Sequence, residues 1–159
     1  MSEIDIDELR KNFGRRLRIG FIGGGRDSVI GGTHLAAMRV DGFFELYAGV
    51  FSIDPTVSEA TARAEFLDAD RVYESFSEMA EKEALREDGI EVVLIAAPPH
   101  IHFEAAKVFL TKGIDVICEK PIAVSREQAS QLDNLAQQHS RLFCLTHCYT
   151  GYPMVREAR

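Results

Sequence analysis

Short apolar runs alternate along the chain with segments whose apolar positions recur at helical spacing. Residues 91–97 form an almost continuous apolar run, as expected of a parallel strand buried on both faces. After Ser125, Leu132, Leu135 and Ala136 fall on one helical stripe. The candidate strands are residues 17–22, 45–51, a short stretch at 71–73, 91–96, 114–118 and 142–145.

The regular strand–helix alternation predicts an α/β fold. Right-handed crossovers then give a Rossmann-type, doubly wound parallel sheet of about six strands, covered by helices in three αβα layers. Helix starts are indicated by Asp54-Pro55, by Ser75 with Glu78, and by Ser125 with Gln128. The first pair offers a cap followed by proline at the first helical position, and the other two match the capping box.

Length and composition indicate one globular domain. The chain has 159 residues, of which 46% are hydrophobic and 27% are charged. Residues 1–16 are expected to form a polar leader with a short helix over Ile6 to Lys11, residues 17–150 the domain, and residues 151–159 the start of a second α/β domain.

Charge and cysteine use narrow the possible partners. The net charge of −7 argues against nucleic acid, and no apolar stretch approaches the ~20 residues that span a bilayer. Cys118, Cys144 and Cys148 are an odd number without disulfide spacing, which predicts reduced thiols in the cytoplasm.

A glycine-rich turn follows the first strand. Gly23 and Gly25 match the first two glycines of the Gly-x-Gly-x-x-Gly dinucleotide fingerprint, and Ser28 stands at the third. Because Gly31 and Gly32 follow, the turn is expected to be lengthened, with its helix beginning near Thr33. A tight connection without a ligand is the alternative. The candidate cofactor contacts here are Gly23, Gly25, Arg26, Asp27, Ser28 and Ile30.

The tip of the second strand leaves the cofactor open between NAD and NADP. Ser52 lies at the tip and Asp54 two residues later, and both are candidate ribose contacts. A carboxylate accepts the ribose hydroxyls of NAD, whereas a small serine leaves room for the 2′-phosphate of NADP. Asp54 is equally explained as the cap of the next helix.

Three later strands are followed by residues suited to catalysis or to ligand binding. Ala97, Pro98 and His102 follow one strand and Glu119-Lys120-Pro121 the next, while His147 follows the last. Since parallel strands end at a common edge, where open α/β sheets bind ligands, these residues are expected to converge with the glycine-rich turn.

These residues resemble the N-terminal domain of the Gfo/Idh/MocA (glucose–fructose oxidoreductase / inositol dehydrogenase) family over roughly residues 17–159. The resemblance rests on the opening residues 18–25, on His34, on Pro98 with His102, and on Glu119-Lys120-Pro121. It implies that Lys120 lies by the nicotinamide and contacts the hydroxyl being oxidised. It further implies that Ala97, Pro98, His102 and Glu119 help to bind the cofactor, and that Pro121 follows a cis bond. His147 is a candidate substrate contact because of its place at the end of the last strand.

Two departures from the family are visible. Pro99 stands where the family usually has asparagine, and the glycine turn looks longer than usual. Family members also continue into a second domain with an Asp-x-x-x-His pattern, whose histidine acts as general base. This pattern does not occur after Lys120.

The resemblance implies an NAD(P)-dependent oxidoreductase that transfers a hydride to or from a sugar, polyol or related hydroxyl substrate, as a homo-oligomer in full-length form. On its own the chain is expected to bind NAD or NADP and to turn over poorly. The alternatives are a non-catalytic dinucleotide-binding sensor and an NAD-dependent glycoside hydrolase of the same superfamily.

Histidines and cysteines elsewhere raise two other chemistries. Cys144 and Cys148 lie on a strand and its following loop, so no metal site is expected, because structural zinc requires four converging ligands. A nucleophilic Cys118 or Cys148 has no partner pattern nearby in the sequence.

Overall fold

The structure, a computed structural model, describes residues 8, 11, 14–26 and 28–158. Its strands are β1 (Leu17–Gly23), β2 (Phe44–Val50), β3 (Val92–Ala96), β4 (Asp115–Cys118) and β5 (Phe143–Leu145). Its helices are α1 (Val29–Asp41), α2 (Pro55–Ala64), α3 (Phe76–Leu85), α4 (Pro99–Thr111), α5 (Arg126–Gln138) and α6 (Pro153–Glu157), with 3₁₀ turns at Ala69–Arg71 and Cys148–Gly151. All strand pairs are parallel, in the order β2-β1-β3-β4-β5, which confirms the predicted Rossmann-type fold.

Helices cover both faces of the sheet. Along β3, Val93 and Ile95 belong to one apolar cluster, while Val92 and Leu94 belong to another. The first cluster contains side chains of α3, α4 and α5, and the second is completed by side chains of α1 and α2. Since every residue of β3 is buried, its continuous apolar run follows directly from its central place in a three-layer domain.

The sheet of the described residues has five strands rather than about six. At residues 71–73 only Val72 forms a bridge, to Gly49, because the 3₁₀ turn ends at Arg71. The Arg71 side chain is buried and donates to the Glu83 carboxylate at 2.8 Å, so it faces the interior at the turn. The predicted strand is thus reduced to a single pair.

The predicted helix caps are confirmed. Asp54 accepts the N–H of Thr56 at 2.9 Å, and the hydroxyls of Ser75 and Ser125 each accept an N–H three residues later at 3.2 Å. The side chains of Glu78 and Gln128 return a bond to the residue before each cap. Local sequence therefore determines where these helices begin.

The strand register brings the important strand ends together. Gly23 lies opposite Ala96, Ile95 opposite Cys118, and Cys118 opposite Leu145. The segments that follow β1, β3, β4 and β5 therefore leave the sheet along one carboxyl edge. None of the helices in the described ranges is long and apolar enough to cross a membrane.

An ion pair ties the end of the polar leader to the opposite edge. Arg15 donates to both carboxylate oxygens of Glu91 at 2.7 Å, and the Arg18 N–H donates to the same group at 3.0 Å. The hydrogen bond from Arg15 dominates, and it lowers the pKa of Glu91 to about 2. The helix predicted over Ile6 to Lys11 falls mainly outside the described residues.

This pair predicts a specific response to acid. Because the folded pKa of Glu91 lies below its ordinary value of 4.5, the pair stabilises the fold above about pH 4.5 and is lost as the pH falls towards 2. The Glu91→Gln variant should therefore lose less stability than the natural chain in this interval. Urea unfolding at several pH values measures the difference, with Glu87→Gln as an exposed control. Parallel pH curves for the natural chain and the Glu91→Gln variant would contradict the prediction.

Candidate active site

The glycine-rich turn joins β1 directly to α1. Gly23 has a φ of +76° and an ideal Cβ there would lie 2.6 Å from the carbonyl oxygen of Ala96, so a side chain is excluded. Ser28 caps the helix and accepts the N–H of Gly31 at 3.1 Å. Because the first N–H groups of α1 have no acceptor inside the helix, this end is suited to a phosphate.

The prediction of a lengthened turn is wrong, because α1 begins at Val29 rather than near Thr33. Gly31 lies in the first turn of that helix and packs on the loop, where an ideal Cβ would lie 2.4 Å from the carbonyl oxygen of Gly24. Gly31 thereby provides the close helix–strand packing assigned to the fingerprint's third glycine. Contacts of Gly23, Gly25, Arg26, Ser28 and Ile30 with a cofactor stay predictions, and Asp27 lies outside the described residues.

Gly31 and its neighbour form a matched pair for mutagenesis. Gly31→Ala forces its methyl group against rigid backbone, so we expect a loss of about 1–3 kcal/mol in the free energy of unfolding and weaker NAD(P) binding. Among the described residues Gly32→Ala meets nothing within 4 Å, and it should be neutral or stabilising by up to about 1 kcal/mol. Denaturant unfolding and cofactor titration test both variants. Equal behaviour would contradict the assigned packing role.

The polar side chains of the loop after β2 form hydrogen bonds with groups of the same loop and of the start of α2. The Asp54 carboxylate accepts the N–H and the hydroxyl of Thr56, which lower its pKa, and the Ser52 hydroxyl accepts the Asp54 N–H at 3.1 Å. Sequence reasoning missed Thr61, a buried residue of α2 whose hydroxyl accepts the Arg26 N–H at 3.0 Å. Thr61 therefore fixes the glycine-rich turn from the neighbouring helix.

A cavity of about 710 Å³ lies beside this loop, away from the Glu-Lys-Pro segment. It is lined by Ser52, Ile53, Pro55 and residues further along α2, and by Val72, Tyr73 and Glu74. Among the predicted cofactor and substrate contacts in the described residues, Ser52 alone lines it. Shape alone would thus have pointed to the tip of β2 and not to the strand ends that hold Glu119 and Lys120.

Glu119 connects three elements at the end of β4. One carboxylate oxygen lies 2.9 Å from Nε2 of His34 on α1, and the other accepts the N–H of Lys120 at 3.2 Å. Burial would raise the pKa of Glu119, yet hydrogen bonds from Thr146 and His34 hold it below its ordinary value. Glu119 is therefore a buried anion that links α1 to the lysine, and its predicted contact with the cofactor stays a prediction.

Lys120, which directly follows Glu119, is exposed. Within the described part of the chain its amino group has no hydrogen bond or ion pair, and the peptide bond to Pro121 is cis, as predicted. His147 is also exposed and follows the neighbouring strand β5. The fold thus places an unpaired cation and an imidazole on adjacent strand ends, and substrate contact by either stays a prediction.

His102 differs from the other candidates because it is buried. Its side chain belongs to α4, is 1% exposed, and lies between the carbonyl oxygens of Ala97 and Pro121 at 2.8 and 2.7 Å. Pro98, by contrast, is exposed just before the helix. A sequence pattern cannot show on which side of a helix's first turn the imidazole lies, and here it lies inside.

Cys118 lies close to the lysine but is poorly suited to nucleophilic catalysis. Its side chain is buried at the end of β4, and burial raises the pKa of its thiol to about 12. A thiolate is the nucleophilic form of cysteine, and this group stays protonated at neutral pH.

Comparison with known proteins identifies relatives of the whole described domain. Residues 17–147 match the model of a family described as "Oxidoreductase family, NAD-binding Rossmann fold" (GFO_IDH_MocA). The uncharacterized oxidoreductase YfiI of Bacillus subtilis is 36% identical over 144 residues, which are 90% of this chain and 37% of that protein.

Two solved structures share the fold closely. An oxidoreductase from Sinorhizobium meliloti has a TM-score of 0.83 and 48% identity, with 91% of this chain and 40% of that chain covered. An inositol dehydrogenase homolog from Azotobacter vinelandii, solved with NAD⁺ and also with NADH and myo-inositol, has a TM-score of 0.86 and 35% identity. The match covers 91% of this chain and 37–38% of the Azotobacter chain. The chain therefore spans about two fifths of the length of these relatives.

Proposed function

Since the chain belongs to the Gfo/Idh/MocA oxidoreductase family, whose members have an NAD-binding Rossmann fold, we propose that it is the cofactor-binding part of an enzyme that oxidises or reduces a sugar, polyol or related substrate. The observation that carries this proposal is a single edge of the sheet. It holds both the glycine-rich turn after β1 and the exposed Lys120 after β4.

The turn fits a dinucleotide by its local structure. Gly23 and Gly31 leave no room for side chains where the backbone must come close to a pyrophosphate, and the amino end of α1 favours negative charge. In open α/β sheets a dinucleotide lies across the carboxyl ends of the strands. That course leads from the glycine-rich turn towards Glu119 and Lys120.

Lys120 is proposed to act on the substrate hydroxyl. NAD(P)⁺, when bound, would supply the acceptor for a hydride from the carbon that bears this hydroxyl. The Lys120 ammonium group binds the hydroxyl oxygen and stabilises the negative charge that grows as the proton leaves. The proton passes to a general base that we expect from a second domain, because the chain spans only about two fifths of its relatives.

Polyol or sugar is the proposed substrate class, and both cofactors are tested. The class is supported by the Azotobacter relative, which is 35% identical and was solved with NADH and myo-inositol. Ser52 and Asp54 do not decide between NAD and NADP, because the bonds within their loop use only the Ser52 lone pairs and one Asp54 carboxylate oxygen. A homo-oligomer in the cytoplasm is also proposed, where three free thiols remain reduced.

The decisive assay follows NADH or NADPH formation by the natural polypeptide that contains this chain. NAD⁺ or NADP⁺ is supplied with a panel of polyols and sugars that includes myo-inositol, and we expect net reduced cofactor with at least one of them. Saturable cofactor binding without reduction across the panel would favour a sensor. Release of sugar from glycosides without net NADH would favour the glycoside hydrolase. Binding of neither cofactor would overturn all three functions.

A further inference from the structure

We infer that His102 is a positioning residue that fixes Lys120 by holding the carbonyl group of Pro121. The imidazole joins the segment after β3 to the segment after β4, with ring nitrogens 2.8 Å from the Ala97 oxygen and 2.7 Å from the Pro121 oxygen. The inference rests on the proposed role of Lys120, which directly precedes Pro121 in the segment after β4.

The burial of His102 argues against a direct contact with a ligand. Its side chain is 1% exposed and both ring nitrogens already face protein oxygens, whereas His100 and His147 are exposed. An imidazole with both nitrogens engaged in this way has no atom left to bond a cofactor. The inference thus gives His102 a supporting role in place of the cofactor contact that the family resemblance implies.

The backbone around Lys120 depends on few bonds. On the amino side the Glu119 N–H donates to the Ile95 oxygen at 2.9 Å, and the Lys120 N–H donates to the Glu119 carboxylate at 3.2 Å. On the carboxyl side, within the described residues, the first bond is the one from His102 to Pro121, before the Val124 N–H reaches Gln128. Since the lysine side chain is exposed and unpaired in the described chain, its position follows from these backbone contacts.

The hydrogen-bond chemistry assigns a proton to one nitrogen. A carbonyl oxygen only accepts, so the Nδ1 atom facing Pro121 must carry a proton to hold it. If Nδ1 were bare, two acceptors would face each other at 2.7 Å and the clamp would not exist. The same holds for Nε2, which lies 2.8 Å from the Ala97 oxygen. Since a ring with one N–H donates to only one of the two carbonyl oxygens, the inference requires that Nδ1 carries a proton.

Two variants of His102 separate the two bonds. The amide nitrogen of asparagine is bonded to Cγ, like Nδ1 of histidine, so His102→Asn retains a donor towards Pro121. The amide nitrogen of glutamine lies one bond further from the backbone, like Nε2 of histidine, so His102→Gln retains a donor towards Ala97. If His102 only fills the core, the Lys120 signal should not depend on which of the two donors is kept, whereas a positioning role predicts that it follows the donor towards Pro121.

The position of the Lys120 side chain is measured by NMR, without enzymatic turnover. Reductive ¹³C-methylation labels the lysines, of which the chain has five, and Lys120→Arg identifies the signal in question. We expect this signal to keep its chemical shift in His102→Asn and to move in His102→Gln, with thermal unfolding confirming that both variants fold. In the natural polypeptide, His102→Gln should lower kcat about 10- to 100-fold with the cofactor KM unchanged. In the Lys120→Met background it should have no further effect on kcat.

Three results would overturn the inference. One is an unchanged Lys120 signal in both variants, and another is an equal shift in both. The third needs no variant: ¹⁵N NMR of the natural chain showing His102 protonated at Nε2 alone. Because the lysine signal and the ring protonation are measured without substrate, they decide the role of His102 even if the enzyme proves inactive on every hydroxyl compound.

Discussion

Replacing Lys120 by methionine should lower kcat about 10²- to 10³-fold while the cofactor dissociation constant stays within about threefold. Removing one fixed group that stabilises charge in a transition state has an effect of this size. Lys120 is exposed at the carboxyl edge and has no internal partner in the described chain, so its loss should leave the fold intact. The measurement is steady-state kinetics of the natural polypeptide, together with cofactor titration.

A second lysine provides the control. Lys112 caps the carboxyl end of α4 and is exposed, so Lys112→Met removes the same charge far from the predicted crevice. Its kcat should match that of the natural protein. A Lys120→Met variant with normal turnover would remove the lysine from the mechanism.

Replacing Glu83 by glutamine should cost about 3–5 kcal/mol in the free energy of unfolding. Glu83 is fully buried on α3, where it accepts hydrogen bonds from Arg71 at 2.8 Å and from the Tyr73 hydroxyl at 2.6 Å. It also accepts the Ile90 N–H at 3.1 Å. Removing the buried anion leaves the buried Arg71 with only the exposed Asp88 as a charged partner, and the loss of one member of a buried pair falls in this range.

Neighbouring groups define what the Glu83 experiment tests. Arg71 also pairs with Asp88. Burial and the bond to Glu83 raise the pKa of Tyr73. Arg71, Tyr73, Glu83 and Asp88 therefore form one connected cluster, in which Glu83 is the central anion. Glu81→Gln, an exposed change on the same helix, should alter stability by less than about 0.5 kcal/mol. Denaturant unfolding measures both. A loss below about 1 kcal/mol for Glu83→Gln would show that the buried pair does not stabilise the domain.

The fold was predictable because its signals are local and repeated. The buried run of β3, the caps at Asp54, Ser75 and Ser125, and the regular alternation each depend on a few adjacent residues. The stretch at 71–73 was mispredicted because Arg71 is buried by partners at Glu83 and Asp88. That pairing joins segments whose approach no local pattern indicates.

The site was only partly predictable for the same reason. Parallel topology alone brings Gly23 and Lys120 to one edge, and the sequence sufficed to place them there. The bond of His34 to Glu119 and the burial of His102 depend on how α1 and α4 pack on the sheet. An available signal was missed at Gly31, since a second glycine pair just after the turn indicates close packing as well as a longer loop.

We propose that the dinucleotide crosses this edge of the sheet with its nicotinamide end at Lys120. Amide NMR titrations of the chain with NAD⁺ and with ADP-ribose, which lacks the nicotinamide, test it directly. We predict that both ligands shift the signals of Gly23, Gly25 and Arg26, and that only NAD⁺ shifts those of Glu119 and Lys120. Shifts confined to the cavity lined by Ser52 and Tyr73, or identical shifts at Lys120 with both ligands, would contradict the account.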